Sequence, residues 1–508
     1  MASDASAQPV LERIREYDRR MVVLRQSAAL LHWDQETYMP GAGDDGRSEQ
    51  IALLESLAHE ELSSPVLGEL LEQAGATADA GKPGGVDEAL LRELQRAHKR
   101  AARVPTRLVE ELARTASSAQ TAWRRAREQA HFGTFLPSLE RLLGLRREYA
   151  EAIGWEGSPY DALLDEYEPF TSTAEVQGVF TALQPRLTEL SRRIAESGSP
   201  VHNEILCRDY PVEAQERFGR QVLKSIGFEF ERGRLDTSTH PFSTSIGADD
   251  VRITTRYNAR FLPSGIFGTI HEAGHALYEL GFGESVRGSS LAEGASLGIH
   301  ESQSRFWENV VGRSLAFWKH FYPALQRCFP AQLSEFPLDD FYRAINLVQP
   351  SLIRVEADEV TYGLHVILRF ELEKALIEGD LAAADLPEAW TASCKRLLGI
   401  EPSNDAEGVL QDIHWSMGAF GYFPTYALGN LYAACFTEAM QRDIGPLDAL
   451  SERGDFATIL DWLRRNIHSM GRGLAPQELC SQLTGHPLRA EPFLNYLEAK
   501  YTPIYELS

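Results

Sequence analysis

The sequence predicts a mainly helical fold with one small antiparallel sheet. Three observations carry that expectation. Apolar residues recur at three-and-four spacing along most of the chain; a single stretch, Phe228 to Tyr257, alternates as strands do; and no convincing linker divides the 508 residues.

The spacing predicts helices over Val10–Leu31, Val86–Ala130, Ser172–Ser197, Val212–Ile226, Ser302–Phe317, Ser351–Glu378 and Leu447–His468. The Gly/Ala/Pro stretch from Gly75 to Gly85 is short and flanked by helix-period sequence, which fits a loop between helices better than a domain boundary. Between Phe228 and Tyr257, β-branched residues and turn formers predict two or three short antiparallel strands. In the last of these, alternation puts Asp250, Arg252, Thr254 and Arg256 on one face.

With 43% hydrophobic and 24% charged residues, the chain can bury a large core. Its 50 Lys and Arg stand against 73 Asp and Glu, a net charge of -23. That balance argues against partnership with nucleic acid or an anionic membrane. The five cysteines are scattered without a C-x-x-C pair, as expected of free buried thiols in a reducing compartment. The N-terminus lacks a basic segment followed by an apolar one, and no run of about 18 apolar residues occurs, so a cytoplasmic protein is expected.

The chemistry is concentrated in the helical pattern GIFGTIHEAGHALYELGFG, which contains His271, Glu272 and His275 as H-E-x-x-H. Histidines four apart lie about one turn apart on one face, so both imidazoles can reach a single tetrahedral zinc ion. Glu272, next to the first ligand, can then serve as base toward a water. The alternative is two ordinary histidines on a helix.

A catalytic zinc site needs a third protein ligand and an open position. The extended motif H-E-x-x-H-x-x-G-x-x-H is excluded, because Tyr278 and Gly281 stand where it requires Gly and His. An acidic ligand from a second helix is the other solution. After the Gly/Ser-rich connection, IHESQSRFWENVVG begins a helix with His300 and Glu301. Glu301 is the expected third ligand, and Glu308, two turns later, is a candidate support for the ligands. The plain alternative for Glu301 is an acidic residue favoured near a helix N-terminus.

Recognition of a peptide carboxylate would need Arg or Lys. Arg252 and Arg256 precede the metal helix, and Arg354 opens SLIRVEADEVTYGLHVILRF, where Asp358 would make it one half of a surface i, i+4 pair. Donors toward an oxyanion are offered by Gln411, His414 and Tyr422 around a Gly-interrupted turn, although nearby Trp415, Phe420 and Phe423 would equally suit an aromatic core turn. His240, in HPF, is a further candidate contact.

Taken in order, HPF at 240–242, DVRIT at 250–254, HEAGH at 271–275, HESQ at 300–303, IRVEAD at 353–358 and GVLQDIHW at 408–415 resemble the carboxypeptidase Taq family of metallocarboxypeptidases. LLHWDQETYMP at 30–40 extends the resemblance over nearly the whole chain. It implies one domain over residues 1–508, a cleft-shaped fold akin to angiotensin-converting enzyme and neurolysin, with helices of about residues 1–130 as a wall or lid. It further implies a homodimer that removes single residues from peptide C-termini with broad tolerance, using zinc or cobalt held by His271, His275 and Glu301. Arg252 and Arg354 would block one end of the cleft and meet the substrate carboxylate; His414 and Tyr422 would contact substrate backbone and oxyanion.

The expected mechanism is metal-assisted hydrolysis of the last peptide bond with Glu272 as base. Competing readings are an oligopeptidase or dipeptidyl carboxypeptidase on the same scaffold, an aminopeptidase, for which no Gly-x-Met-Glu-Asn motif precedes HEAGH, and a non-catalytic helical protein with a structural zinc. The last would ordinarily use cysteine ligands, and none lies near His271 or Glu301 in sequence.

Overall fold

Ser172 starts a helix because its hydroxyl accepts the Glu175 N–H at 3.2 Å while the Glu175 carboxylate accepts the Ser172 N–H at 2.8 Å. This reciprocal cap satisfies donors that the first turn leaves unpaired. The helix then runs over Thr173–Glu196, and the next over Val212–Ser225, both close to expectation. The computed structural model describes residues 4–76 and 85–507, so the Gly75 to Gly85 loop lies almost wholly outside the described residues.

Three predicted helices are interrupted. Val86–Ala130 divides into Val86–Arg103 and Thr106–Glu128 at Pro105, which has no N–H to give and whose ring displaces the preceding turn. Leu447–His468 divides into Leu447–Glu452 and Phe456–Asn466 around Gly454, whose φ is 76°. Ser302–Phe317 ends its α-helical part at Arg305, widens into a π-helix over Phe306–Val311 and restarts at Leu315, capped by Ser314.

The largest departure is at Ser351–Glu378, where the helix begins only at Tyr362. Asp358 is not the helical partner of Arg354. Its carboxylate accepts N–H bonds from Gln349, Val360 and Thr361 at 3.1, 2.9 and 3.0 Å, organising a loop, while Arg354 sits in a single 3₁₀ turn and turns elsewhere.

The sheet is mixed rather than antiparallel. β1 (Gly233–Thr237) runs parallel to β3 (Asp250–Thr255) with Arg234 opposite Arg252; β2 (Ser243–Gly247) runs antiparallel to β3 and joins it through a two-residue turn. The chain leaving β1 passes through His240 to Phe242 to the far edge before returning, so β3 fills the middle. Arg256 falls just beyond β3 and is exposed.

This sheet flanks the helix Leu262–Leu280, which carries the H-E-x-x-H residues and packs on its other sides against Val212–Ser225 and Leu297–Arg305. One apolar core extends from Ile14 to Tyr505. The N-terminal helix Asp4–Thr37 reaches the sheet through Trp33, whose ring lies 4.2 Å from the Arg252 guanidinium and 4.9 Å from that of Arg234. Each arginine is neutralised on its own strand, by Asp250 and Asp236.

All five cysteines are free. Cys394, Cys435 and Cys480 are buried, whereas Cys328 is half-buried and Cys207 exposed, so the expectation of buried thiols holds for three of them. Among the described residues no helix is long and apolar enough to cross a membrane.

Candidate active site

His271 and His275 project from one face of their helix, and each is oriented from behind. The Nδ1 of His271 lies 2.8 Å from a Glu308 carboxylate oxygen, and the Nδ1 of His275 lies 3.1 Å from the His300 carbonyl. Both acceptors place a proton on Nδ1, so when the ring is neutral the lone pair lies on Nε2. The His300 ring stacks on His275 at 4.3 Å and 15°, and is itself held by Glu279 at 2.9 Å.

The second helix, Leu297–Arg305, starts with Ser296 as its cap and with buried Glu168 accepting bonds from Ser296 and the Gly298 N–H at 2.7 and 3.0 Å. It lies tight against the first because Gly274 has no Cβ; one would sit 2.6 Å from the Gln303 carbonyl. Glu301 is thereby brought 3.7 and 3.5 Å from the Nε2 atoms of His271 and His275. One donor atom from each of the three lies within 4.8 Å of the others.

These spacings suit a divalent ion. Ligands about 2.0–2.2 Å from zinc in a tetrahedron are roughly 3.4 Å apart. Two neutral imidazoles and one carboxylate leave a position for water or substrate, the composition of catalytic rather than structural sites. Without the ion, burial pushes His271 down but Glu301, the Glu308 hydrogen bond and Glu272 outweigh it, and its pKa rises to about 9. Burial and the neighbouring His300 instead carry His275 down to about 3. Arg305 donates to Glu301 at 2.7 Å, and its charge helps hold that carboxyl well below its ordinary range.

Glu308 reaches His271 from within the π-helical turn Phe306–Val311, and such turns are frequent at functional sites. Glu308→Ala is expected to weaken divalent-metal affinity about 10- to 100-fold. Competition against a chromogenic chelator measures this, and an affinity within threefold of wild type would remove Glu308 from the site.

Glu272 is buried beside the ligands, and burial raises its pKa to about 7. Across from Glu301 lies an aromatic group that sequence reading caught only in part. The Tyr422 ring lies 5.2 Å from both His414 and Tyr426, and His414 Nε2 is 3.4 Å from the Tyr426 hydroxyl. Burial lowers the His414 pKa to about 4, so its imidazole is neutral, and its Nδ1 is buried with no hydrogen-bond partner among the described residues.

Arg354 is buried. Its Nε and Nη2 donate to Asp412 at 3.2 and 2.9 Å and its Nη1 to the Tyr362 hydroxyl at 3.2 Å. Fully buried Arg369 donates to the other Asp412 oxygen at 2.7 Å, giving two guanidiniums to one carboxylate. Gln411 was expected to face substrate; its carbonyl instead accepts from Arg354 N–H and Arg369, and its amide donates to the carbonyls of Leu352, Glu407 and Gly408. Arg252, with Nε and Nη2 on Asp250 at 2.9 and 2.8 Å, lies on the sheet beside Trp33. His240 is exposed, and its carbonyl accepts from the Ser238 hydroxyl, just beyond β1, at 2.6 Å.

Arg305, Tyr362, Arg369, Asp412 and Tyr426 were not singled out in the sequence. Arg305 was accessible as the i+4 neighbour of Glu301, and Tyr426 as the residue one turn beyond Tyr422; the others join the site only through tertiary contacts.

A helix bearing H-E-x-x-H, joined by a glutamate from the adjoining helix, defines a metallopeptidase. Residues 13–501 match the carboxypeptidase Taq (M32) metallopeptidase family, and the chain belongs to it. It is 45% identical over 503 residues to thermostable carboxypeptidase 1 of Thermus thermophilus, covering 97% of this chain and 98% of that one. It is 38% identical over 501 residues to carboxypeptidase 1 of Bacillus subtilis, covering 98% of each. Among solved structures, the carboxypeptidase of Deinococcus radiodurans superposes with a TM-score of 0.95 at 37% identity, over 98% of this chain and 100% of that one. The protein is a metal-dependent carboxypeptidase that releases C-terminal residues from peptides.

Proposed function

We propose that the enzyme releases amino acids one at a time, with broad side-chain tolerance, and that zinc, or alternatively cobalt, is its resident metal. The observation that carries this is an open three-ligand site linked, through the side chains of Arg305 and Tyr362, to a buried cluster of two arginines and one aspartate. A C-terminal residue spans only ~3.3–3.6 Å of chain. The group that receives its carboxylate must therefore lie close to the hydrolytic centre.

Arg354 is the arginine that a relay of side chains ties to the metal ligands. Its Nη1 bonds the Tyr362 hydroxyl, the Tyr362 ring faces the Arg305 guanidinium at 4.6 Å, and Arg305 holds Glu301. The positive charge in excess on Arg354 and Arg369 suits an incoming carboxylate. Arg252, braced on Trp33, closes the far end of the cleft, with the helices of residues 4–128 as one wall; Arg256 and His240 are contacts at the same sheet edge.

The bound cation would polarise the scissile carbonyl and acidify water. Glu272 accepts the proton of the attacking water on its carboxylate and passes it to the leaving nitrogen. His414, whose imidazole is neutral, and Tyr422 donate to the carbonyl oxygen as it gains charge. The free thiols support a reducing cytoplasm, and the sequence motifs support a homodimer by their resemblance to a dimeric family.

Mass spectrometry of an N-acylated peptide and its C-terminal amide tests the reading. A ladder of single-residue losses from the acid, with little cleavage of the amide, is expected. Release of dipeptides or internal fragments would overturn it.

A further inference from the structure

Glu373 has no place in this chemistry and no exposed surface, yet three groups converge on it. The indole N–H of Trp415 donates to one oxygen at 2.7 Å; the Gly421 N–H and the Tyr160 hydroxyl donate to the other at 3.1 and 2.6 Å. Burial drives its pKa up, the three donors and the Arg369 charge pull it down, and the balance leaves it raised to about 7. A buried carboxylate is costly enough that an apolar residue would serve simple stability as well.

The donors are what distinguish it. Trp415 adjoins His414 and Gly421 adjoins Tyr422, so one carboxylate grips the backbone neighbours of both oxyanion donors. Gly421 meets the requirement with a φ of 90°, open to glycine and strained for other residues. One turn earlier on the same helix, Arg369 holds Asp412 and Gln411, at the start of the same bend. The bend is therefore pinned at both ends by residues four apart on the rigid helix Tyr362–Glu378.

We propose that Glu373 is a positioning residue for hydrolysis, fixing His414 and Tyr422 relative to the metal ligands through Trp415 and Gly421. The inference rests on the reading above, in which those two side chains stabilise the developing oxyanion.

Glu373→Gln keeps the shape but turns an N–H₂ toward donors. It is expected to lower kcat about 10- to 100-fold with KM changed less than about threefold. Double-mutant cycles with Tyr422→Phe and His414→Ala separate placement from fold maintenance. In either background the further fall in kcat should be less than about threefold, because the groups Glu373 places are already lost. Thermal unfolding is followed in parallel, and Trp415→Phe, which removes one donor, repeats the cycle if Glu373→Gln does not fold.

Effects that multiply independently, or a lowered Tm with kcat unchanged, would overturn the role of Glu373 alone. If neither Tyr422→Phe nor His414→Ala changes kcat, the oxyanion reading fails and this inference with it.

Discussion

Glu272→Gln is expected to bind divalent metal as the wild type does and to hydrolyse peptides about 10²–10⁴-fold more slowly. The side chain is 7% exposed, adjoins His271 in sequence and makes no hydrogen bond to protein among the described residues. A buried group left free of protein partners is available to a water. Glutamine preserves its volume and removes only its basicity, so the metal ligands keep their supports from Glu308 and the His300 carbonyl. The pH dependence follows from the sign of its shift. Burial raises the pKa to about 7 in the metal-free protein, and the base acts ionised, so activity falls as pH drops through its pKa. A bound cation favours the ionised form and moves that acid limb downward. Metal content measured beside single-turnover rates checks both halves, and near wild-type hydrolysis would remove Glu272 from the role of base.

The parts of this site that sequence reading reached are those whose geometry is local. Helical spacing puts His271 and His275 on one face, and the helix start after the Gly/Ser-rich connection makes Glu301 prominent. Where tertiary contacts compete with periodicity, the reading failed. The three-and-four pattern of Ser351–Glu378 is real, yet Arg354 is drawn off it by Asp412, Gln411 and Tyr362, and Asp358 spends its acceptors on loop N–H groups. Gln411 looked like a substrate contact by position in its motif, whereas its side-chain carbonyl holds Arg354 and Arg369 to the bend and its amide is taken up by backbone carbonyls. The parallel pairing of β1 with β3 depends on where the chain crosses between them, which alternation does not encode. Glu373, 48 positions before Gly421, gives no local signal at all.

The same contrast organises the electrostatics. A chain of net charge -23 surrounds its site with alternating, buried charges: Glu308 between His271 and Arg305, Glu301 under Arg305, Asp412 between Arg354 and Arg369. In the last group two arginines meet a single carboxylate. On the proposed reading, that pair of arginines is where the peptide carboxylate would be received.

Arg354→Met should therefore collapse the preference for a free C-terminus. Truncating one partner of a buried charge pair costs about 2–5 kcal/mol, roughly a 30- to 5000-fold loss in kcat/KM for the peptide acid. For the corresponding amide, which never makes the pair, kcat/KM should stay within a few-fold of the wild-type amide value. The ratio of the two isolates recognition from any general damage to the bend, because Asp412 keeps Arg369 as a partner in the variant. Arg354→Lys should recover only part of the loss, since a lysine is a point charge and cannot span Asp412 and a substrate carboxylate with one planar fork. An acid-to-amide ratio unchanged in Arg354→Met but abolished in Arg252→Met would transfer the carboxylate to the sheet, leaving Arg354 as a brace for the bend.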